Sequence, residues 1–498
     1  MFRQILRIII ILREVKQGMK SKNRGIVIAL MVAMFLAAVE GTVVTTAIPT
    51  IVKELNGFEL ISWVFSAYLL TSAISTPIYG KLSDLYGRKN ILSIGIIIFI
   101  VGSCLCGISQ SMYQLIASRG IQGLGAGAIF TVTYTIVGDI FTAKESTKVQ
   151  GWISTVWGIA SLVGPFLGGF LIENISWNWI FFINVPFGII SIVLLQKNLI
   201  ETVERKKHKI DYVGTLLFSF AIIIFLLGSL SGGKMNIIIA IVVTIVLLVL
   251  FYYVEKKAQE PIIPFDIFTK TSNIVNAISF LASGILIGAD VYMPLYMQNV
   301  LGFGPTISGI SMAPMSIAWL LSSFILTKAI PKYGKKIVIG TANLILFISC
   351  LFLSTLSIES PLQLVVIYGF IMGFGFGGAF TTLTIVVQES VGYNKRGAAT
   401  AVNSLVRTLG QTIAVSVFGT ILNMCIVKYF NNIGISGIKP NNLYSSAISS
   451  NGVSSLQVKL SLNSGLHEVF IAFIIIAIVS FALTFTFDSK SNNNLCKK

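Results

Sequence analysis

Four ionisable side chains interrupt stretches that are otherwise apolar: Glu40 in AVEGTVVTTAIP, Arg119 at the head of RGIQGLGAG, Asp290 in GADVYMPLYMQ and Arg407 in NSLVRTLG. Charge in apolar surroundings is costly, so such residues default to a working role. A carboxyl placed there can exchange a proton, and its ionised form attracts a cationic solute, which makes Glu40 and Asp290 candidates for both tasks. Arg119 is suited to set the charge state of a nearby acid; the alternative is a purely structural ion pair of either acid with Arg119 or Arg407. In a second group, GKLSDLYGRK, Gly80 and Gly87 bracket Asp84, and Arg88 and Lys89 follow. As a short charged loop it would join two helices through ion pairs in one state and release them in another; the alternative is an ordinary basic loop. In a third, GIASLVGPFLGG, Gly164, Pro165, Gly168 and Gly169 combine close backbone approach with a bend that could act as a gate. Trp63, Tyr68, Trp157, Tyr292, Gln298 and Arg407 are candidates to line a cavity, with ring faces that can receive cations, against the alternative of packing or interfacial anchoring.

Other chemistry finds no support. The five cysteines are scattered, Cys104 and Cys106 point to different sides of one helix, and there are two histidines, so neither a disulfide framework nor a metal site is indicated. No catalytic cluster or nucleotide-binding loop is present, and no cofactor is expected.

The elements that position these residues follow from composition. Of 498 residues, 55% are hydrophobic and 11% charged, with mean hydropathy +0.86; the solvent must be mostly lipid. Apolar runs recur at the length a helix needs to cross roughly 30 Å of hydrocarbon. The spans are expected at 26–48, 60–79, 91–109, 113–137, 151–172, 178–196, 212–231, 236–254, 274–297, 307–327, 337–356, 362–387, 398–424 and 467–486, which gives an all-α polytopic membrane protein of about fourteen spans. The net charge of +17 need not mean nucleic acid, because lysines and arginines gather on alternate loops. That bias puts both termini in the cytoplasm of a cell-membrane protein. The basic stretch 1–25 has only a short apolar run, Ile8 to Leu12, and is expected to lie on the membrane surface, with span 1 as an uncleaved anchor.

An internal repeat organises the chain. GLGAGAIFTVTYTIVGD (Gly123 to Asp139) aligns without gaps on GFGFGGAFTTLTIVVQE (Gly373 to Glu389), 250 positions later. GKLSDLYGRK echoes TKAIPKYGKK (Thr327 to Lys336) at an offset of 247. The expected division is therefore a basic segment 1–25, a six-helix bundle 26–200, a linker with two extra helices 201–270, a second six-helix bundle 271–487 with an outer loop 425–465, and a tail 488–498. Two parallel halves favour a path between them near the bilayer midplane. Spans 1 and 9 open their halves, so Glu40 and Asp290 are expected in related places. The stripe Gly123 and Gly127 below Arg119 matches Gly369, Gly373 and Gly377, and small residues at this spacing let helices approach closely.

These motifs together resemble the major facilitator superfamily, in its fourteen-span branch of proton-coupled drug antiporters of the multidrug and quaternary-ammonium efflux type. GKLSDLYGRK is similar to the loop 2–3 signature, and RGIQGLGAG to the span-4 motif whose arginine is implicated in proton coupling. GIASLVGPFLGG is similar to the span-5 antiporter motif, and VEGTVVTTAIP to the branch's span-1 motif. SWNWIFFINVPFG and RGAATAVNSLVRTLG resemble its span-6 and span-13 patterns. Glu40 stands where Asp is usual, Asn178 where Arg is common, and Pro331 takes the place of a counterpart to Asp84. The resemblance implies two six-helix bundles plus two linker helices, a secondary transporter and not an enzyme, and export of lipophilic, often cationic compounds against inward-moving protons. It implies small-molecule, proton and lipid partners, no nucleic acid, and a monomer. A dedicated exporter of a metabolite, lipid precursor or siderophore, and more remotely a non-transporting sensor, are the alternatives.

Overall fold

The computed structural model describes residues 21–201, 212–230, 234–258, 265–392, 395–435, 437–444 and 453–486. The expected surface segment, most of the charged stretch after Glu201, the proline-bearing linker before Phe265 and the tail lie outside them. The described regular structure is helical: α1 (Ser21–Leu55), α2 (Ile61–Tyr86), α3 (Arg88–Gly107), α4 (Met112–Ile140), α5 (Ala143–Asn174), α6 (Trp179–Asn198), α7 (Tyr212–Leu230), α8 (Lys234–Lys257), α9 (Lys270–Asn299), α10 (Pro305–Tyr333), α11 (Lys335–Leu353), α12 (Leu362–Glu389), α13 (Arg396–Asn432) and α14 (Ser455–Thr486). Among the described residues thirteen helices are long and apolar enough to cross a bilayer, and Val213–Phe225 within α7 is a shorter apolar one. Helices are the outcome because backbone groups in lipid have only one another as partners.

The helices outrun the expected spans. α1 has 35 residues and α13 has 37, each about 50 Å or more of helix, so both project past the hydrocarbon. Hydropathy marks where the lipid ends, whereas backbone hydrogen bonding continues until a residue breaks it. Two expectations are corrected on this ground. Gly80 to Lys89 is not a loop: α2 runs through Tyr86, the single residue Gly87 turns the chain at φ 96°, and α3 begins at Arg88. Its echo behaves alike, with Gly334 at φ 83° between α10 and α11. Both sit in a region glycine enters without steric cost. The outer loop 425–465 is also shorter than expected, since α13 continues to Asn432 and α14 starts at Ser455. α5 passes through Pro165 without interruption.

α1 packs on α5 and α6, α2 on α4, and α4 on α3; in the second set α9 packs on α13 and α14, α10 on α12, and α12 on α11. α7 and α8 form a hairpin, and α7 touches both α2 and α13. The two echoed segments sit in matching seams. A Cβ on Gly123 would meet the Tyr68 carbonyl at 2.4 Å, and one on Gly373 the Met315 carbonyl at 2.0 Å. Gly127 lies against Ser72 and Gly377 against Trp319 in the same way. Tyr68 and Met315, like Ser72 and Trp319, are 247 positions apart, so the repeat read in the sequence is a repeat of helix contacts.

We call the side where α1 begins and α14 ends the near side, and the opposite one the far side. Hydrogen bonds between helices α1–α6 and α9–α14 or their connections join the two sets toward the far side. Ser66 and Ser416 hydroxyls meet at 3.0 Å, Gln298 Nε2 donates to the Thr46 carbonyl at 2.9 Å, and Ser316 Oγ donates to the Ser161 carbonyl at 3.0 Å. Nearest the far surface, Glu59 N donates to Asn441 Oδ1 at 2.9 Å, and Thr306 N to Glu173 Oε2 at 3.3 Å.

Candidate functional site

Glu40 and Arg119 come from different helices and meet in the middle of the first six. Arg119 Nη1 lies 2.5 Å from Glu40 Oε1, and each residue is 1% exposed. Such a pair is stable only if its remaining donors and acceptors are also satisfied, and here a polar network does so. Arg119 Nη1 also donates to Gln122 Oε1 at 2.7 Å, and Arg119 Nε to the Val64 carbonyl at 3.3 Å. Asn184 Nδ2 donates to Glu40 Oε2 at 2.5 Å and to Ser103 Oγ at 2.8 Å, while Gln122 Nε2 donates to Ser103 Oγ at 3.0 Å. The Tyr68 ring closes the last side, 4.2 Å from the guanidinium carbon. The cluster is sealed among α1, α2, α3, α4 and α6. Both charged side chains are shut off from the surroundings by these helices. Sequence reasoning missed Gln122, Asn184 and Ser103; the signal available was a polar side chain within an apolar span in each case.

Asp290 is placed otherwise. It is half-buried on α9, and its carboxylate has no hydrogen bond or ion pair among the described residues. The structural pair with Arg407 is ruled out by level. Gly284 packs on Ala414, Gly288 on Phe418, and Gly410 on the Phe280 carbonyl. In that register Asp290 stands opposite residue 420, and thirteen residues of helix separate it from Arg407, about 20 Å. Tyr292 is about 200° around the helix from Asp290, and its hydroxyl donates to the Val415 carbonyl at 3.2 Å. The two acids open related helices yet stand in unlike surroundings, one paired and sealed, the other unpaired and half-buried.

At the near side, Arg88 pairs with Asp84 at 2.9 Å and with Asp139 at the end of α4. Its backbone N–H donates to Glu201 Oε1 at 2.5 Å, and Lys89 Nζ donates to the Gln196 carbonyl at 2.8 Å. In the second set Lys335 pairs with Glu389 at the end of α12, and Lys336 Nζ donates to the Phe485 carbonyl at 2.8 Å. The segment around Pro331 has no counterpart to Asp84, yet it keeps the basic-to-acidic contact between the third and fourth helices of its half.

The glycines of the span-5 segment serve two seams. Gly164 and Gly168 face Thr42 and Thr46 of α1, whereas Gly169 lies against the Pro305 carbonyl of α10 and the Pro165 carbonyl against Gly309. This stretch forms the far-side closure between the halves. Of the aromatic candidates, Tyr68 belongs to the sealed cluster, Tyr292 and Gln298 to helix seams, and Trp63 is half-buried on α2. Trp157 is 38% exposed and stacks on Phe130 at 5.5 Å. Arg407 has no carboxylate partner among the described residues: its Nη2 donates to Thr384 Oγ1 at 2.8 Å and to the Phe380 carbonyl at 3.2 Å, and its guanidinium covers the Phe380 ring at 4.6 Å. Asn178, which stands where the resembled pattern has Arg, donates to the Gly107 carbonyl at 2.6 Å.

Two related helical sets joined by a helical hairpin, with a buried ion pair in one and a closure on one side, define a multi-pass membrane transporter rather than an enzyme. The Major Facilitator Superfamily model matches residues 30–415, and the chain belongs to that superfamily. It is 34% identical over 415 residues to the multidrug transporter protein MdtP of Bacillus subtilis, covering 82% of this chain and 77% of that protein. It is 33% identical over 427 residues to multidrug resistance protein 3 of the same organism, covering 84% and 83%. The fold matches a bacterial homologue of the human lysosomal transporter Spinster, in an inward-facing and occupied conformation, with TM-score 0.69 at 15% identity, covering 94% and 97% of the two chains.

Proposed function

We propose that this transporter exports lipophilic, often cationic drugs or related small molecules in exchange for inward-moving protons, by alternating access. The relatives' names support the cargo class. The observation that carries the coupling is the sealed Glu40–Arg119 pair: a carboxylate whose counter-charge is fixed 2.5 Å away can accept a proton only by releasing that arginine. Such a release is the kind of local charge change that biases a two-state element. Asp290, unpaired, supplies the negative charge that a cationic cargo meets. The far-side contacts describe the state closed to the outside, and the near-side pairs of Arg88 and Lys335 belong to elements that rearrange as the halves rock. The near side is the cytoplasm of a cell-membrane protein acting as a monomer: Arg88, Lys89, Lys335, Lys336, Lys395 and Arg396 gather there, in line with the positive-inside bias.

The test is efflux of ethidium from proteoliposomes containing the purified protein, driven by an imposed pH gradient. Extrusion that follows the gradient and disappears in Glu40→Gln is expected. Flux that is indifferent to the gradient, or is retained in Glu40→Gln, refutes the coupling.

A further inference from the structure

The second half carries a cation that no described residue neutralises. Arg407 has neutral acceptors on Nη2 only. Its Nε is buried without a partner, and its Nη1 is neither hydrogen-bonded nor among the buried atoms lacking a partner. The nearest unpaired acid along its seam, Asp290, is about 20 Å away by helix register. In the first half, by contrast, Arg119 is matched by Glu40.

The internal repeat shows that this charge replaces something. Phe130 and Phe380 are 250 positions apart, as are Trp157 and Arg407. In the first half Trp157 stacks on Phe130 at 5.5 Å; in the second Arg407 lies over Phe380 at 4.6 Å. The same position against the same ring holds an aromatic in one half and an uncompensated guanidinium in the other. Trp319 then stacks on Phe380 at 5.3 Å. The neighbours in sequence of Trp157 and Trp319, Gly158 and Leu320, meet in the α5–α10 seam, whereas a Cβ on Gly151, two turns closer to the near side, would meet nothing within 4 Å. The guanidinium and its rings thus lie where the far-side closure gives way toward the near side.

We propose that Arg407, with Thr384 and the Phe380 and Trp319 rings, is a subsite for a carboxylate or phosphate attached to an aromatic or lipophilic body. An unpaired guanidinium in apolar surroundings is costly, and an anionic ligand supplies the charge-assisted bonds that the protein withholds. The subsite rests on the reading of the chain as an exporter and widens its cargo to acids and to compounds bearing both charges. The anion comes either from cargo or from a lipid headgroup of the near-side leaflet.

Binding, rather than transport, tests this. The affinities of 2-naphthoate and of 2-naphthylmethylammonium are measured by tryptophan quenching on purified protein in phosphatidylcholine nanodiscs. The ratio of anion to cation affinity falls at least about tenfold in Arg407→Gln, the loss expected for a charge-assisted bond, and recovers in Arg407→Lys. Thr384→Glu, which keeps the arginine and gives it an internal carboxylate, abolishes naphthoate binding as well, so the proposal stays testable if Arg407→Gln fails to fold. A ratio unchanged in Arg407→Gln and in Thr384→Glu overturns the subsite. Naphthoate binding that is absent in phosphatidylcholine, with Arg407-dependent retention of phosphatidylglycerol instead, overturns the cargo assignment and gives the site to a headgroup. Failure of ethidium efflux in the wild type would refute export without moving these binding ratios.

Discussion

Replacing Glu40 by Gln leaves Arg119 buried at 1% exposure with its positive charge uncompensated. Breaking a buried pair from one side costs about 3–5 kcal/mol. The lower end applies here, because the Gln122 side chain, the Val64 carbonyl and the Tyr68 ring remain on the guanidinium. A loss of about 3 kcal/mol is roughly a hundredfold in the folded-to-unfolded ratio. Arg119→Gln leaves Glu40 with the Asn184 amide alone, and the stranded carboxyl can escape by taking up a proton, so that variant should lose about 2 kcal/mol at neutral pH and less in acid. The double variant, with two neutral amides of nearly native volume, should return to within about 1 kcal/mol of the wild type. Denaturant unfolding in mixed micelles, followed by tryptophan fluorescence, measures all four corners of the cycle. In parallel, pH-driven ethidium efflux should be absent from Glu40→Gln and from the double variant, however stable the latter is. Single losses that add within about 0.5 kcal/mol would show that the two side chains are not coupled. A double variant that transports at the wild-type rate would reduce the pair to a structural element.

Two further perturbations probe the closures. A Cβ on Gly309 would stand 2.1 Å from the Pro165 carbonyl oxygen, so Gly309→Ala must push α10 off α5 and favour the far-side-open state. A cysteine placed at Thr306, with the native cysteines replaced by serine, should then react faster with a membrane-impermeant maleimide, and an unchanged rate counts against the seam. Lys335 and Glu389 are 33% and 43% exposed, so their pair contributes at most about 1 kcal/mol to stability. Lys335→Glu should fold normally yet slow efflux, and the exchanged pair Lys335→Glu with Glu389→Lys should restore it; no restoration removes the pair from the rocking step.

The motif residues were legible because each is local. Glu40 and Asp290 stand out against apolar neighbours wherever the helices go, and the Gly123 and Gly373 segments announce a repeat without any knowledge of what they touch. Loops were legible less well. Gly80 to Lys89 looks like a connection because it is charged, but a helix can carry charge past the membrane surface, and only Gly87 leaves the helical region. The outer loop was overestimated for the same reason: the polar ends of α13 and α14 remain helical.

The sequence by itself determined the solvent, the number of crossings, the duplication and the superfamily, because hydropathy and spacing are properties of short stretches and lipid admits a single backbone solution. Only the tertiary structure decided which charges are matched. Glu40 and Arg119 lie 79 residues apart in the chain and meet because α1 packs beside α4. Asp290 and Arg407 share a helix seam yet stand about 20 Å apart along it, and no count of charges could have told an arginine paired with a carboxylate from one held, among the described residues, by neutral acceptors alone.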